Sequence, residues 1–287
     1  MKIGFIGAGK VGCSLGKYFS TKGYKLTGYY SQTTASAKEA AQFTNSTFYS
    51  QTKDLITDSD ILFLTVTDSA ISSVWDSIKG DNLQGKIICH CSGSLSSQIF
   101  SDINSYGAYG YSIHPLYAIP SKTESYKDLC NAMFTLEGHP AHLDKLKGFL
   151  ESFGNTVQII STDSKSTYHA AAVFASNHMV ALASVAIKLL ADCGFSHENA
   201  LKAISPLMEG NLANLLKDGP TKALTGPVER NDVSTIKRHL DCITEDYTGL
   251  YALLTEELIR IAKEKHPDTD YSELEEQIHF LSDKTIT

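Results

Sequence analysis

The sequence has no run of basic residues. Its 287 residues hold 25 Lys and Arg against 32 Asp and Glu, a formal net charge of −7. That balance argues against a phosphate backbone or an anionic lipid surface as partner. Neither nucleic acid nor a membrane is therefore expected. There are six cysteines but no C-x-x-C pair. Cys89-His90-Cys91 is too tight for an ordinary zinc clip and ends an apolar run, so the thiols read as structural and no metal site is expected. No charged-then-apolar leader, internal repeat or low-complexity linker is visible. A reducing, cytoplasmic setting fits these absences. One apolar stretch, Ala170 to Ala191, carries Ser176, Asn177, His178, Ser184 and Lys188. That polar load predicts a buried central helix rather than a membrane span.

What is present begins at the first residues. Lys2 to Ile6 reads as a short buried strand, followed by Gly7-Ala8-Gly9-Lys10-Val11-Gly12 and then by Val11, Leu15, Tyr18 and Phe19 at helical spacing. Strand, G-x-G-x-x-G turn and helix together predict a dinucleotide site. Gly7 permits the tight turn, Gly9 lets a pyrophosphate approach the backbone, and Gly12 lets helix and strand pack closely. The helix start offers unpaired N–H groups and a positive dipole end to the phosphates. The next strand, Lys25 to Tyr30, leads into Ser31-Gln32-Thr33-Thr34, with no acid before Glu39. An NAD site expects an acid there for the ribose 2′-OH. Hydroxyls at Ser31 and Thr33, with Lys38 nearby, favour the 2′-phosphate of NADP(H).

Further buried strands are read at Asp60–Val66, Lys86–His90, Tyr109–Ile113, Ala132–Leu136 and Thr156–Ile160, with helices between most of them. This alternation predicts a parallel, doubly wound sheet whose ligands lie beyond the strand carboxyl ends. Gly7–Gly12, Val66–Ser69 and His90–Ser94 should then line one crevice, with Asp68 or Ser69 capping the helix after the Asp60–Val66 strand. No strand is read beyond Ser161. Helices are expected at about 164–192, 197–217, 232–242, 245–265 and 271–281, with Ser196 and Asp232 as N-caps. The fold class is α/β plus all-α: a doubly wound nucleotide-binding domain over 1–161, and a helical substrate and dimerisation domain over 162–287.

Candidate chemistry sits on the strand ends and on the first long helix. His169, Val173 and Asn177 fall at i, i+4 and i+8 and would share one face of a continuous helix. An imidazolium at His169 can protonate a new alkoxide near neutral pH, and Asn177 can hold the carbonyl oxygen. Arg230, in the loop Gly226 to Asp232, can clamp a carboxylate with its planar fork, or form an ordinary surface ion pair. Ser92 and Gly93 follow a strand end and can meet an anionic substrate, or form a plain turn. His114 is a reserve acid, a substrate contact or packing beside Pro115. His90 reads as structural. Thr67 lies where a nicotinamide ribose would pass.

GAGKVG at the start, TVTD at 65–68, HCSGS at 90–94, IHPL at 113–116, YHAAAVFASN at 168–177 and GPVERND at 226–232 together resemble one family over essentially the whole chain. It joins a Rossmann-like NADP-binding domain to a helical domain of unknown function, within the 6-phosphogluconate dehydrogenase-like superfamily. Some of its members resemble an alternative type of ketopantoate reductase. The resemblance implies an NADPH-dependent oxidoreductase acting on a small carboxylated carbonyl compound, with 2-dehydropantoate foremost, and a homodimer built on the helical half. Imine reduction, as in pyrroline-carboxylate reductase, and a non-catalytic NADP(H)-responsive protein are the alternatives. Ordinary ketopantoate reductases carry Lys, Asn and Asn on one helix. The matching positions here hold His169, Val173 and Asn177, so the lysine is replaced. Asn231 stands where relatives often have Gly.

Overall fold

In the computed structural model, which describes residues 1–286 and their side chains through His279, the chain divides into two compact units, Met1–Ala175 and Ser176–Thr287. The first unit holds eight strands: β1 (Ile3–Ile6), β2 (Leu26–Tyr30), β3 (Thr47–Phe48), β4 (Ile61–Leu64), β5 (Ile87–His90), β6 (Tyr109–Leu116), β7 (Met133–Gly138) and β8 (Val157–Ile159). Its helices are α1 (Lys10–Thr21), α2 (Thr34–Thr44), α3 (Thr52–Asp58), α4 (Asp68–Ile78), α5 (Leu143–Glu151) and α6 (Lys165–Ala175). The strands form one sheet in the order β3-β2-β1-β4-β5-β6-β7-β8. Strand order reverses between β1 and β4, which places a ligand crevice beyond their carboxyl ends.

The central strands are apolar throughout because both faces of the sheet are covered. Successive residues feed two layers. Ile3, Phe5, Ile61, Phe63, Ile87 and Cys89 point into one core, while Ile6, Leu62, Leu64 and Ile88 point into the other. The first core is aromatic: Phe5 stacks on Tyr29 and Phe63 at centroid distances of 5.0 and 5.3 Å. The second is anchored by the fully buried Trp75 of α4, whose indole N–H donates to the Ser101 carbonyl at 3.0 Å.

The sheet is not wholly parallel, as the strand and helix alternation had suggested. β6 and β7 pair antiparallel, with Ile113 opposite Leu136 and His114 opposite Thr135. The chain returns from β6 through a loop rather than a helical crossover, and a return without a crossover reverses direction. β6 is also longer than expected and runs through His114 and Pro115. β5 pairs only with Tyr109 to Ser112. The last four residues of β6 therefore meet β7 alone, and a proline is tolerated at such an unpaired edge. The short β3 and α3 were not foreseen. A two-residue strand and a seven-residue helix give weak periodic signals.

The second unit contains α7 (Asn177–Asp192), α8 (His197–Asp218), α9 (Pro220–Ala223), α10 (Val233–Cys242), α11 (Glu245–Lys265) and α12 (Ser272–Ile286). No strand occurs in it among the described residues. Ser196 and Asp232 cap α8 and α10, accepting from the N–H groups of Asn199 and Thr235 at 3.2 and 3.0 Å. Its core gathers Ile236, Ala252, Ile259, Ala262, Tyr271, Leu274 and Ile278 from α10, α11 and α12. The expected continuous helix over 164–192 is two helices. Ser176 leaves helical backbone, with φ −124° and ψ −70°, and its hydroxyl donates to Asn177 Oδ1 at 3.0 Å.

The expectation of a buried central helix also fails. α7 has no buried residue, and α8 has only Ala200 and Ile204. By length and composition Thr162–Asp192 could cross a membrane, with a mean hydropathy of 1.7 in its best window. Met179, Val180, Leu182, Leu207, Leu215 and Leu216 are exposed on these two helices.

Phe63 lies at the centre of the aromatic core, fully buried between Phe5 and Phe19. Phe63→Ala should cost about 3–5 kcal/mol of stability, as large-to-small core changes do. A urea or guanidinium unfolding curve with an unchanged midpoint would contradict this placement.

Candidate active site

The glycine turn after β1 is built by close approach. Gly7 has φ +109°, and a Cβ there would stand 2.6 Å from the Thr65 carbonyl oxygen. A Cβ on Gly12 would stand 2.4 Å from Thr65 Oγ1 and 2.6 Å from the Gly7 carbonyl oxygen. The Thr65 hydroxyl donates to that carbonyl at 2.8 Å, so β4 pins the turn. Gly9 is different: beyond it the space is open, with the nearest atom 3.8 Å from a Cβ position. Gly9 is also the N-cap of α1 and offers no side-chain cap. Ala8 is buried, Lys10 is exposed, and Val11 packs against the aromatic core. The α1 N–H groups are thus left for an anion, and Gly9 lets it reach them. These features fit a dinucleotide pyrophosphate.

Beside this turn, Ser31 follows the end of β2, and Thr33 is the N-cap of α2 without a side-chain cap bond. Its hydroxyl and the helix start remain available to a phosphate. Lys38 lies over the Phe48 ring at 5.3 Å. Thr67, rather than Asp68 or Ser69, is the N-cap of α4, and its hydroxyl lies 3.3 Å from Ser69 Oγ. Asp68 instead accepts from Ser92 and Ser94 hydroxyls at 2.7 and 3.1 Å.

That bond changes the reading of Ser92. Its hydroxyl donates to Asp68 and accepts the N–H groups of Ser94 and Leu95 at 3.2 and 3.0 Å. Both functions of the hydroxyl are spent on the turn, and a carboxylate stands beside it. Ser92 therefore shapes the loop instead of receiving an anionic substrate. His90 supports the same loop. Its Nδ1 accepts the Ser92 N–H at 3.2 Å, so Nε2 carries the proton toward the Ser96 carbonyl at 3.1 Å. Burial pushes the His90 pKa down to about 4, against the Ser96 carbonyl bond, which favours the protonated ring.

The loop so held presents Gly93 to two imidazoles. A Cβ at Gly93 would lie 2.5 Å from His169 Nδ1 and 3.0 Å from His114 Nε2. Only glycine lets both rings close onto this backbone. His114 Nδ1 is 2.7 Å from the Tyr168 hydroxyl. Burial, followed by the nearby charges of Lys165 and His169, pushes the His114 pKa down to about 3. Among the described residues, His169 Nδ1 is buried without a hydrogen-bond partner. A buried polar atom left unpaired costs free energy, and such atoms mark sites where a ligand completes the set.

α6 supplies Tyr168 and His169 from one face, and a third residue shares it. Lys165, one turn earlier, was not anticipated from the sequence. It is 2% exposed, and its Nζ donates to Ser112 Oγ at 2.7 Å. Its spacing of four residues from His169 was the available signal. Burial lowers its pKa to about 8. Glu137 anchors the approach to α6, accepting from Ser97 N, Ser97 Oγ and Thr162 Oγ1 at 2.7, 2.7 and 3.0 Å.

Asn177 and Arg230 belong to the second unit. The break at Ser176 removes the argument that His169 and Asn177 share a continuous helix face. Arg230 lies in a turn where its N–H donates to the Gly226 carbonyl at 3.2 Å. The turn is fastened by Glu229, which accepts from His266 at 2.8 Å, and by Asn231 Nδ2, which donates to the Asp270 carbonyl at 2.8 Å. Asn231 has φ +53°, a left-handed conformation that Asn tolerates and Gly prefers.

Residues 1–115 match the Rossmann-like domain family, and residues 132–258 match the domain of unknown function DUF2520. The chain joins a Rossmann-like domain to a DUF2520 domain. Among solved structures, protein TM1727 from Thermotoga maritima is 26% identical, with a TM-score of 0.73, covering 92% of this chain and 99% of that one. A Bacteroides fragilis protein, BF3122, proposed to be an NADP oxidoreductase, is 23% identical, with a TM-score of 0.69 and coverage of 90% and 98%. An imine reductase from Myxococcus stipitatus in complex with NADP+ is 18% identical, with a TM-score of 0.64 and coverage of 96% and 98%. No curated protein matches the sequence.

His90 and His114 are held neutral in the fold, whereas an unfolded histidine takes up a proton near pH 6.5. Below that pH the unfolded chain binds more protons, so stability falls as pH drops from about 6.5 toward the two folded values, near 4 and 3. Each histidine contributes a slope of up to about 1.4 kcal/mol per pH unit. Urea titrations between pH 7 and 4.5 should show the decline, and His90→Gln should flatten it. An identical slope in that variant would contradict a neutral buried His90.

Proposed function

We propose that the protein binds NADP(H) and reduces a small carboxylated carbonyl compound, with 2-dehydropantoate the first substrate to test. The observation that carries this reading is the unpaired, buried His169 Nδ1 beside His114 at the strand carboxyl ends. Bound NADPH would supply the hydride. Gly7, Ala8, Gly9, Lys10, Val11 and Gly12 form the turn for its pyrophosphate. Ser31 and Thr33, with the uncapped start of α2, suit the 2′-phosphate, and Thr67 suits the nicotinamide ribose. His169 delivers a proton to the substrate oxygen, and His114 donates a hydrogen bond to it. Gly93 gives both rings their approach. By chemistry, Asn177 suits the carbonyl oxygen and Arg230 the carboxylate.

A second reading, imine reduction, is favoured by a specific observation. An iminium substrate brings its own proton, which suits a site whose His114 is held neutral. The likeness to an imine reductase adds to it. NADPH absorbance followed with 2-dehydropantoate and with a cyclic imine separates the two. No turnover of 2-dehydropantoate at millimolar concentration, alongside measurable NADPH binding, would remove that substrate. His169→Ala should lower kcat by roughly 10²–10⁴, the range of general acid–base groups. A near-normal rate would take His169 out of the chemistry.

We assign the exposed apolar faces of α7 and α8 to a second copy of the chain. Leucines in this number, beside Ser184 and Lys188, suit a protein partner better than lipid. Light scattering on the purified chain without detergent should give a dimer mass. A monomer at micromolar concentration would overturn this assignment.

A further inference from the structure

We infer that Tyr168 is a positioning residue of the proposed reduction: its hydroxyl fixes His114 in the tautomer whose Nε2 carries the hydrogen, so that this N–H faces the substrate oxygen beside Gly93. The inference rests on the reductase reading above.

The first support is the way α6 lies on the sheet. On β6, Ser112 and His114 are two residues apart and share one face, opposite Glu137 and Thr135 of β7. Successive turns of α6 meet that face. Lys165 Nζ donates to Ser112 Oγ at 2.7 Å, and three residues on the Tyr168 hydroxyl lies 2.7 Å from His114 Nδ1. The Tyr168 ring meets the imidazole edge to face, at a centroid distance of 5.7 Å and an interplanar angle of 81°. Lys165 Nζ lies 5.4 Å from the same ring centroid. A phenylalanine would supply both ring contacts. The hydroxyl is the feature that packing does not require, and its hydrogen bond is to the imidazole.

The second support is the direction of that bond. A phenol is a stronger acid than a neutral imidazole N–H, and an imidazole nitrogen is a much stronger base than a phenol oxygen. The hydroxyl therefore donates and Nδ1 accepts. The separation agrees: 2.7 Å is the spacing of an O–H donor, whereas N–H donors sit about 2.9–3.0 Å from oxygen. Thr135, opposite His114, does not compete for the phenol proton, because its buried Oγ1 has no hydrogen-bond partner among the described residues. Burial, the largest influence on the ring, keeps it neutral. A neutral imidazole has one donor and one acceptor nitrogen, so with Nδ1 accepting, Nε2 carries the hydrogen. Nε2 is 3.0 Å from a Cβ position on Gly93, and His169 Nδ1 is 2.5 Å from the same position. A fixed N–H donor where oxygen gains charge stabilises the transition state. In the other tautomer Nε2 would turn a lone pair toward that oxygen and repel it.

The test reads the tautomer and the reaction separately. Two-bond nitrogen–proton spectra of the chain carrying isotope-labelled histidine, near neutral pH, identify which ring nitrogen holds the proton. With His114 assigned by its loss in His114→Gln, the wild type should show a protonated Nε2 and an unprotonated Nδ1. A proton on Nδ1, or on both nitrogens, would overturn the inference. In Tyr168→Phe, which keeps the ring, the two nitrogen signals should move toward each other as the proton divides between them. Signals unmoved in the folded variant would also overturn it. With whichever substrate is reduced, Tyr168→Phe should lower kcat about tenfold, less than the roughly 10²–10³ lost when an oxyanion donor is removed outright, and leave KM within about twofold. A residue that works through His114 has nothing left to do once the imidazole is gone. Adding Tyr168→Phe to His114→Ala should therefore cost no further activity. Losses that multiply in the double variant, as for an independent structural or substrate contact, would overturn the inference. If no substrate is reduced, the reductase reading fails, and the nitrogen spectra still decide the tautomer.

Discussion

The hydrogen bond from the Thr65 hydroxyl to the Gly7 carbonyl is the contact on which the candidate site depends. It ties the end of β4 to the turn after β1 at 2.8 Å, across the point where strand order reverses. Gly12 lies against the same hydroxyl, so strand, turn and helix meet with no room for another side chain. The start of α1 is thereby directed at the crevice. The loop at 90–94 takes its place from the same register, because β4 and β5 end side by side, with Leu64 opposite His90.

The second half of the site is held by polar bonds within the first unit. His90 and Asp68 consume the polar groups of the loop at 90–94, leaving Gly93 as its contact surface. Glu137 and Ser112 do the equivalent for the start of α6. The reactive candidates, His169 Nδ1 and His114 Nε2, are therefore set by neighbours that have no spare hydrogen-bonding capacity. Such saturation is what turns a loop into a rigid support for chemistry.

Much of this was legible in the residues. The doubly covered strands announce themselves as unbroken apolar runs, and the glycine spacing names the turn that needs them. The helical character beyond Ser161 follows from periodicity. Other features lie outside local pattern. The reversal of β7 depends on what the connecting loop does, which side-chain alternation does not encode. The role of Ser92 depended on Asp68, twenty-four positions away. Nothing in the sequence marks Lys165 as buried, because burial of a lysine is a tertiary outcome. The break at Ser176 falls between two helices whose apolar patterns run up to it on either side, so periodicity does not reveal it.

The overhang of β6 has a mechanical consequence. Tyr111 and Ser112 are clamped between β5 and β7, while its tip, with His114, has β7 as its one strand neighbour and the Tyr168 hydroxyl as its brace from α6. The strand is a cantilever, and its compliance is concentrated at the imidazole. Motion of β7 or of the 117–132 loop would reach His114 before it strained the central sheet. One of the site's two facing rings thus sits on the stretch of β6 that has a single strand neighbour.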